Sequence, residues 1–357
     1  MSKVPNAPPE NIFAINLNPC RPFLVDLPPL GTVGTRRAQD GWEGVRPEII
    51  NNQPTYGERA GITTDDFDRF VEHDNQHVLI MKELPAVRKA LEVLTESLAH
   101  ADNQRHRLAT QFAKAAETHA AAEGGNPTLL TAYEKTIAYR SIIADKAVKT
   151  RKKNEEAKKG AAPAADTDAP PAQPPEGAAK AGKAISRIPN PPPEYIFTID
   201  LNPLKPFLVD LPANAMRGMR QEQEGWEDVW QEIVANQAPY GQRAGITVTD
   251  FNKFVAFNEQ HAQILEQLPL VDKAEEILTE SLAHVDDIRH KLVTQFADAA
   301  EDHAASEGGD PTLLTAYEKT IAYRSIIADK ATKTRKKNEE AKKAAGGPGG
   351  GRGPKED

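Results

Sequence analysis

The sequence predicts an all-α protein that is a tandem duplication of an elongated helical unit. Residues 127–159 recur as residues 311–343 with one difference, Val148 against Thr332, and such self-similarity indicates a repeated structural unit. Aromatic residues are only 6% of the 357 residues, and Ala, Glu, Lys and Leu are common, a composition typical of long helices. Apolar residues also recur at steps of three and four over long stretches, which is the helical period.

The duplication predicts two helical domains, at residues 1–159 and 185–343. Each copy has roughly 155 residues, enough to bury a core of its own. We expect the Ala- and Pro-rich residues 160–184 and the Gly-rich residues 344–357 to be disordered, because neither segment carries enough apolar side chains to fold. The sequence leaves open whether the two copies pack on each other as a pseudo-dimer.

Each copy begins with a Pro-rich arm, at Ile12–Gly31 and Ile196–Pro212. Prolines exclude a helix there, and the alternation of apolar and polar residues at the start of the second arm suits an extended segment. The pair Phe23-Leu24 recurs as Phe207-Leu208. One interpretation is an arm that packs along the helices of its own chain. The other is a strap that docks on a neighbouring subunit.

A short helix follows the arm at about residues 216–236 of the second copy, with loops expected after it at 237–245 and at 53–61 of the first copy. The first copy should have a shorter or broken helix, because this part contains the helix-disfavouring residues Gly41, Gly44 and Pro47.

The next two helices are predicted at about 64–84 and 85–122, and at 248–268 and 269–306 in the second copy. Thr63 followed three residues later by Asp66 resembles a capping box at the start of the first of them. Pro85 and Pro269 are expected to end or kink this helix. The helix at 85–122 carries an a/d seam, the pattern of helices that pack at a shallow angle.

A Gly-Gly turn with Asn126 as the helix cap leads into a last helix at about 127–158, and at 311–342 in the second copy. It should form an antiparallel hairpin with the preceding helix. Ten of its residues form a candidate interaction surface, because this segment is almost unchanged between the copies even where its residues are polar. They are Tyr133, Glu134, Lys135, Tyr139, Arg140, Tyr317, Glu318, Lys319, Tyr323 and Arg324. Gene conversion would explain the same identity without any partner.

Arg105 and Arg289 interrupt the apolar seam, and a charge there needs a partner or must reach solvent. We predict that they are buried polar residues that set the register of the helices, with Glu134 and Glu318 as possible partners. The alternative is an arginine that bends outward along its aliphatic stem.

A metal site is poorly supported by the sequence. Glu96 and His100 are four residues apart, and so are Glu280 and His284, but the other helices offer no matching ligand pair of the kind that di-iron bundles use. We therefore expect a Glu–His pair on a solvated face and no metal or other cofactor.

Composition limits the function further. A net charge of −8 argues against a general nucleic-acid-binding protein, although the basic runs at 146–159 and 330–343 could contact phosphates or an acidic partner. One cysteine excludes an internal disulfide. The first residues lack a signal-peptide core, and aliphatic runs are too short to span a membrane. We expect a cytoplasmic protein, with export that does not depend on such a signal as an alternative.

The sequence contains no nucleotide-binding, nucleophile-elbow or zinc-protease motif. We therefore expect a non-enzymatic scaffold or adaptor, which binds a protein partner or assembles with itself through two near-identical surfaces. One alternative is a membrane-active, toxin-like helical-hairpin protein. A metal-binding helical bundle is another.

Overall fold

The computed structural model describes residues 6–122, 124–141 and 190–325, together with 336, 337 and 340. The chain is mostly helical and contains the same series of elements twice, as the sequence predicts. In the first copy the strand and helices are β1 (Ala14–Asn16), α1 (Trp42–Asn52), α2 (Thr64–Ala121), α3 (Thr128–Ala132) and α4 (134–141). In the second copy they are β2 (Thr198–Asp200), α5 (Trp226–Asn236), α6 (Val248–Ala305), α7 (Thr312–Ala316) and α8 (318–325).

The helices expected on either side of Pro85 are one continuous helix. Both α2 and α6 are 58 residues long and include a proline, Pro85 or Pro269. A proline removes one backbone hydrogen bond from the helix. Here the packing of the helix compensates for that loss. Buried positions continue at helical spacing through Pro85, at Ile80, Leu84, Val87, Ala90 and Leu94. The sequence allowed an end or a kink at these prolines, and the structure shows that the alternative in which the helix ends there is wrong.

The capping residues predicted from the sequence are confirmed. The Asp66 backbone N–H donates to Thr63 Oγ1 at 3.1 Å at the start of α2. Gly124 has a φ of +73°, the left-handed conformation that glycine adopts at low cost, and Asn126 Oδ1 accepts the Thr128 N–H at 3.1 Å. The turn and the cap thus stop α2 and start α3.

The last predicted helix is broken near its start. α3 ends at Ala132, Tyr133 has φ −117° and ψ 28°, and a new helix begins at residue 134. The same break occurs at Tyr317. The single helix expected from residue 127 is therefore two helices, and residues after 141 lie outside the described part.

The short helix has the same length in both copies, 11 residues in α1 and 11 in α5, so the prediction of a shorter or broken helix in the first copy is wrong. It begins at Trp226 in the second copy and not near residue 216, and Pro47 lies inside its counterpart in the first copy. Both helices continue directly into a single π-helical turn, Gln53–Gly57 or Gln237–Gly241, where loops were expected. Gly57 is buried there.

The two arms are extended and contain short 3₁₀ turns at Glu10–Ile12, Asn18–Cys20, Glu194–Ile196 and Asn202–Leu204. β1 pairs antiparallel with β2, with Ile15 opposite Ile199. Each arm also lies along the long helix of the other copy. The Leu211 N–H donates to Glu96 Oε2 at 2.7 Å, and the Leu27 N–H donates to Glu280 Oε2 at the same distance.

The chain forms two compact units, and neither coincides with one copy of the sequence. Within the described residues, unit one comprises 6–18, 85–122, 124–141 and 193–275, and unit two comprises 19–84, 190–192, 276–325, 336, 337 and 340. Unit one therefore contains α5 and the start of α6 from the second copy, together with the end of α2 from the first copy. Unit two contains α1 and the start of α2 from the first copy, together with the end of α6 from the second copy.

The cores reflect this exchange between copies. Phe112 of α2 and Phe254 of α6 meet edge to face in unit one, with ring centroids 5.7 Å apart. Phe70 and Phe296 make the same contact in unit two, at 5.9 Å. The equivalent phenylalanines of the two copies thus contribute to different cores.

The predicted disordered segments at 160–184 and 344–357 lie outside the described residues, as do most of the two basic runs. No helix in the described part of the chain is both long and apolar enough to cross a membrane.

Candidate functional site

Arg105 on α2 is the centre of a polar cluster buried in unit one. Its side chain is 2% exposed. Nη2 forms ion pairs with Asp102, one turn earlier on the helix, and with Glu222 at 2.9 Å. Nη1 donates to Asn258 Oδ1 at 2.8 Å, and the guanidinium carbon lies 4.8 Å from the centre of the Trp226 ring. Two carboxylates, an amide and an aromatic face therefore compensate the buried charge.

Arg289 on α6 occupies the equivalent place in unit two. It donates to Asp286 Oδ1 at 2.9 Å and to Asp74 Oδ1 at 2.7 Å. Its guanidinium carbon lies 4.1 Å from the centre of the Trp42 ring. Arg46 forms a further ion pair with the second oxygen of Asp74. Unit two thus holds its arginine in the same way, with one more cation at the edge of the cluster.

The two clusters reach a similar charge balance with different residues. Asp74 in unit two stands at the sequence position of Asn258, while Ala38 stands at that of Glu222. The backbone N–H of Ala38 donates to the Asp286 carboxylate at 3.3 Å, and the N–H of Glu222 donates to the equivalent Asp102 at 3.3 Å. The second carboxylate of the cluster therefore comes from the segment before α5 in unit one and from the long helix α2 in unit two. In both units the arginine pairs with two acids.

The sequence predicted the burial of the two arginines but not their partners. Glu134 is exposed on α4 and is not a partner of Arg105, so that prediction is wrong, as is the equivalent one for Glu318. The outward-bending alternative is also wrong, because both guanidinium groups are buried. The spacing of three residues between Asp102 and Arg105, present in both copies, was the signal that could have revealed the nearest partner.

His261 completes a group of possible metal ligands with Asp102 and Glu222, whose ligand atoms all lie within 4.8 Å of one another. The donors do not favour a metal ion, because Arg105 Nη2 already binds both carboxylates. His261 Nε2 lies 3.1 Å from Asp102. Burial alone would raise the pKa of Asp102, but hydrogen bonds from His261 and Arg105 outweigh burial and lower that pKa. The cluster is therefore suited to a charged Asp102 carboxylate that accepts hydrogen bonds from Arg105 and His261.

The Glu96–His100 pair does not form the solvated contact expected from its spacing. Glu96 is only 8% exposed, and its carboxylate binds the arm backbone at Leu211. The His100 ring faces Phe257 edge-on at 6.4 Å. In the second copy Glu280 likewise binds the arm of the first copy. These glutamates position the arms.

His106 is buried beside the arginine cluster of unit one. Its ring stacks on Tyr139 with centroids 5.5 Å apart and meets Trp226 edge-on at 4.8 Å. Burial lowers the pKa of His106 to about 4, although the nearby Asp102 charge and the Gln221 backbone oppose this shift. His290 in unit two stacks on Tyr323 in the same way, and burial also lowers its pKa. Both rings act as neutral packing groups at neutral pH.

The structure divides the candidate surface of the last helical segments into buried and exposed residues. Tyr133, Tyr139, Tyr317 and Tyr323 are at most 4% exposed and belong to the two cores. Placing these tyrosines on an interaction surface is therefore wrong, because the other copy covers them. Their identity between copies has a packing explanation.

Two glutamates from the short helices hold the break in the last segments. Glu232 of α5 accepts the backbone N–H groups of Lys135 and Thr136 at 2.9 and 2.8 Å, and the Thr136 hydroxyl at 2.6 Å. Glu48 of α1 binds Lys319 and Thr320 in the same way. The first N–H groups of a helix lack partners within it, so each glutamate caps α4 or α8 from a different element.

The charged residues of the candidate surface have mixed positions. Lys135 is exposed and pairs with Asp228 at 2.8 Å, and Arg140 pairs with Glu117 at 2.7 Å. In unit two, Lys319 is exposed and Arg324 pairs with Glu301 at 2.6 Å. Glu134 and Glu318 point outward in their units.

Apart from Lys135 and Lys319, the exposed residues of 130–141 and 314–325 form two sets that we call the outer faces. The outer face of unit one consists of Leu130, Thr131, Glu134, Ala138 and Ser141, and that of unit two of Leu314, Thr315, Glu318, Ala322 and Ser325. The two faces are identical in sequence. Leu130 and Leu314 are each 45% exposed.

Comparison of the chain with protein-family models, curated proteins and solved structures finds no match.

Proposed function

We propose that this protein is a non-enzymatic scaffold or adaptor, which presents two near-identical helical surfaces to a protein partner or to further copies of itself. The outer faces of the two units are the proposed contact surfaces. The observation that carries the proposal is their identity at positions where the core imposes no requirement.

Exposed positions elsewhere in the two copies have diverged. Pro47 and Asn51 on α1 are exposed, and the equivalent residues of α5 are Gln231 and Ala235. Surface positions tolerate such changes at little cost in stability. The unchanged outer faces therefore support a constraint from outside the fold, and each face offers a partner the apolar surface of one leucine that is 45% exposed.

Two equal surfaces on one chain favour bivalent binding. When a partner carries two matching sites, the second contact forms within the complex, and its effective concentration raises the apparent affinity. The proposal therefore predicts that loss of one face removes this gain in apparent affinity and that loss of both faces abolishes binding.

Light scattering of the full chain over a range of concentrations tests self-assembly. Leu130→Glu and Leu314→Glu are compared singly and together, with the double variant V33E/V248E as the control, because Val33 and Val248 are exposed apolar residues outside the outer faces. We expect the mass of the wild type and of the control to rise with concentration, and that of the L130E/L314E variant to stay at the mass of one chain.

If the wild type itself stays a single chain, self-assembly is excluded and the adaptor branch is tested by chemical cross-linking to proteins of the source cell. A specific partner must then bind at two sites per chain and be lost in L130E/L314E but kept in the control. Binding that survives the double variant would overturn the proposed surface.

A further inference from the structure

Unit one contains a basic cleft that the proposed scaffold function does not use. It has a volume of about 700 Å³ and lies between residues of α2 and α6 and the segment that carries Arg220. Leu108 and Phe257 contribute apolar surface to it. Clefts of this size commonly hold small molecules.

The charge of the cleft is strongly one-sided. Arg107, Lys114, Arg220 and Lys253 line it, and Asp250 is the only acidic residue among its lining residues. The acid lies 3.6 Å from Lys253. The other cations have no acidic partner among the described residues.

Neutral groups hold two of these cations in place. Arg220 donates to Thr110 Oγ1 at 3.2 Å, and Arg107 donates to Gln104 Oε1 at 3.2 Å. These hydrogen bonds orient the guanidinium groups without neutralising them. A guanidinium that keeps its charge can still donate to phosphate oxygens.

The equivalent region of unit two has a balanced charge. Asp287 and Asp298 replace Asn103 and Lys114 there, while Lys291 stands in place of Arg107. Lys291 pairs with Asp287 at 2.6 Å. Two acids have thus been placed where unit one has an amide and a lysine.

Two further acids in this region of unit two are also paired. Asp298 binds Arg324, and Asp66 pairs with Arg69 at 3.5 Å, the counterpart of the Asp250–Lys253 pair. The basic character of the cleft is therefore specific to unit one and does not follow from the shared fold.

We propose that the cleft of unit one binds a compact polyanion with phosphate chemistry, as a condensed phosphate or the polyphosphate of a nucleotide. Four cations that converge on one cleft raise the local concentration of such an anion. Several charge-assisted hydrogen bonds can form at once, because arginine and lysine side chains line more than one wall. Phe257 offers an aromatic surface on which a base can lie.

Isothermal titration calorimetry of the full chain at low salt tests the proposal with two probes, sodium tripolyphosphate and magnesium-free ATP. We expect one binding site per chain, with affinity that falls as salt is added. If the base contributes, Phe257→Ala weakens the binding of ATP and leaves that of tripolyphosphate unchanged. If phosphate alone is recognised, Phe257→Ala changes neither.

The second copy supplies matched variants. N103D/K114D gives unit one the residues of unit two at the same positions, and we expect it to weaken binding by about tenfold or more. The reciprocal variant D287N/D298K should create a second site and raise the stoichiometry from one to two. Lys82→Asp, which makes the same charge reversal as Lys114→Asp but at an exposed residue of unit two, is the control and should bind as the wild type does.

Lys253→Gln provides a second test that leaves the rest of the cleft intact, and it should also weaken binding. Wild-type affinity in both N103D/K114D and Lys253→Gln would overturn the proposal. So would a wild type that binds neither probe but retains a long oligonucleotide, because the basic surface would then be a contact for a macromolecule.

Discussion

Arg289 donates a hydrogen bond of 2.7 Å to Asp74, although the two residues come from different copies of the duplicated sequence. Both are buried in unit two, where Asp74 is 2% exposed. The ion pair shows that one copy of the repeated sequence does not correspond to one compact unit of the structure. Each core and each buried charge of the described chain is completed by residues from the other copy.

The first prediction concerns a single copy, residues 1–160, expressed alone. It contains Phe70 and Phe112 but not their partners Phe296 and Phe254. We expect it to form a homodimer, in which Phe112 of one chain meets Phe70 of the other, because exchange of equivalent elements restores both cores. Light scattering and circular dichroism over a range of concentrations measure this. A folded single copy that stays monomeric at all concentrations would contradict the prediction.

The second prediction concerns the buried ion pair itself. Arg289→Ala leaves two buried carboxylates without their main cation, and removal of one partner of a buried pair costs about 3–5 kcal/mol. We expect a loss of this size in the free energy of unfolding, measured with urea. Arg69→Ala is the control, because Arg69 has a 58% exposed side chain and pairs with Asp66 at 3.5 Å. Surface pairs contribute at most about 1 kcal/mol, and equal losses in the two variants would count against the role of the cluster.

These residues show what the sequence could and could not predict. The duplication can be read directly from the sequence, and helix caps and the helical period depend on neighbouring residues. Thr63 and Asn126 were therefore identified correctly from short patterns. A core made by two copies has the same apolar periodicity as one made within a copy, so the exchange left no signal in the apolar seam. Pro85 led to a wrong helix boundary, because a proline removes only one backbone hydrogen bond. Whether a long helix continues depends on packing against residues that are distant in the sequence.

The candidate site was predictable to the same extent. The sequence identified Arg105 because a charged residue interrupts an otherwise apolar seam. It could not identify Glu222 or Asn258, since these partners come from the other copy, more than a hundred residues away. The tyrosines of the last segments were misassigned for the same reason, because their covering residues also belong to the other copy.

The third prediction concerns pH. The pKa of His106 is lowered from 6.5 to about 4 in the folded protein. Between these values the unfolded chain binds a proton that the folded chain does not, so stability falls as the pH is lowered through this range. We expect a loss of about 3 kcal/mol from this residue between pH 7 and pH 4, using about 1.4 kcal/mol per pKa unit. The stability that depends on neutral His106 is fully present above the unfolded pKa.

His106→Phe tests this directly, because a phenyl ring can keep the contacts with Tyr139 and Trp226 without titrating. Urea unfolding at pH 7 and pH 5 should show a smaller pH dependence in this variant than in the wild type. His119→Gln, at an exposed position of the same helix, should keep the wild-type dependence. An unchanged slope in His106→Phe would mean that another group controls the acid sensitivity. His290 remains in that variant and contributes in the same direction, because burial also lowers its pKa.

The fourth prediction concerns the caps provided from another element. Glu232 accepts two backbone N–H groups and a hydroxyl at the start of α4, and a carboxylate is favourable at a helix N-terminus. Loss of a side-chain cap costs about 0.5–2 kcal/mol, and we expect Glu232→Ala to fall at the upper end, because three hydrogen bonds are lost together. Glu227→Ala, at an exposed position of α5 where the glutamate bonds only Gln231 among the described residues, should cost less than half as much.

Hydrogen exchange of the Lys135 and Thr136 amides locates the effect. Faster exchange there in Glu232→Ala, and not in Glu227→Ala, is the expected result, while slow exchange in both variants would show that α4 holds its first turn without this glutamate.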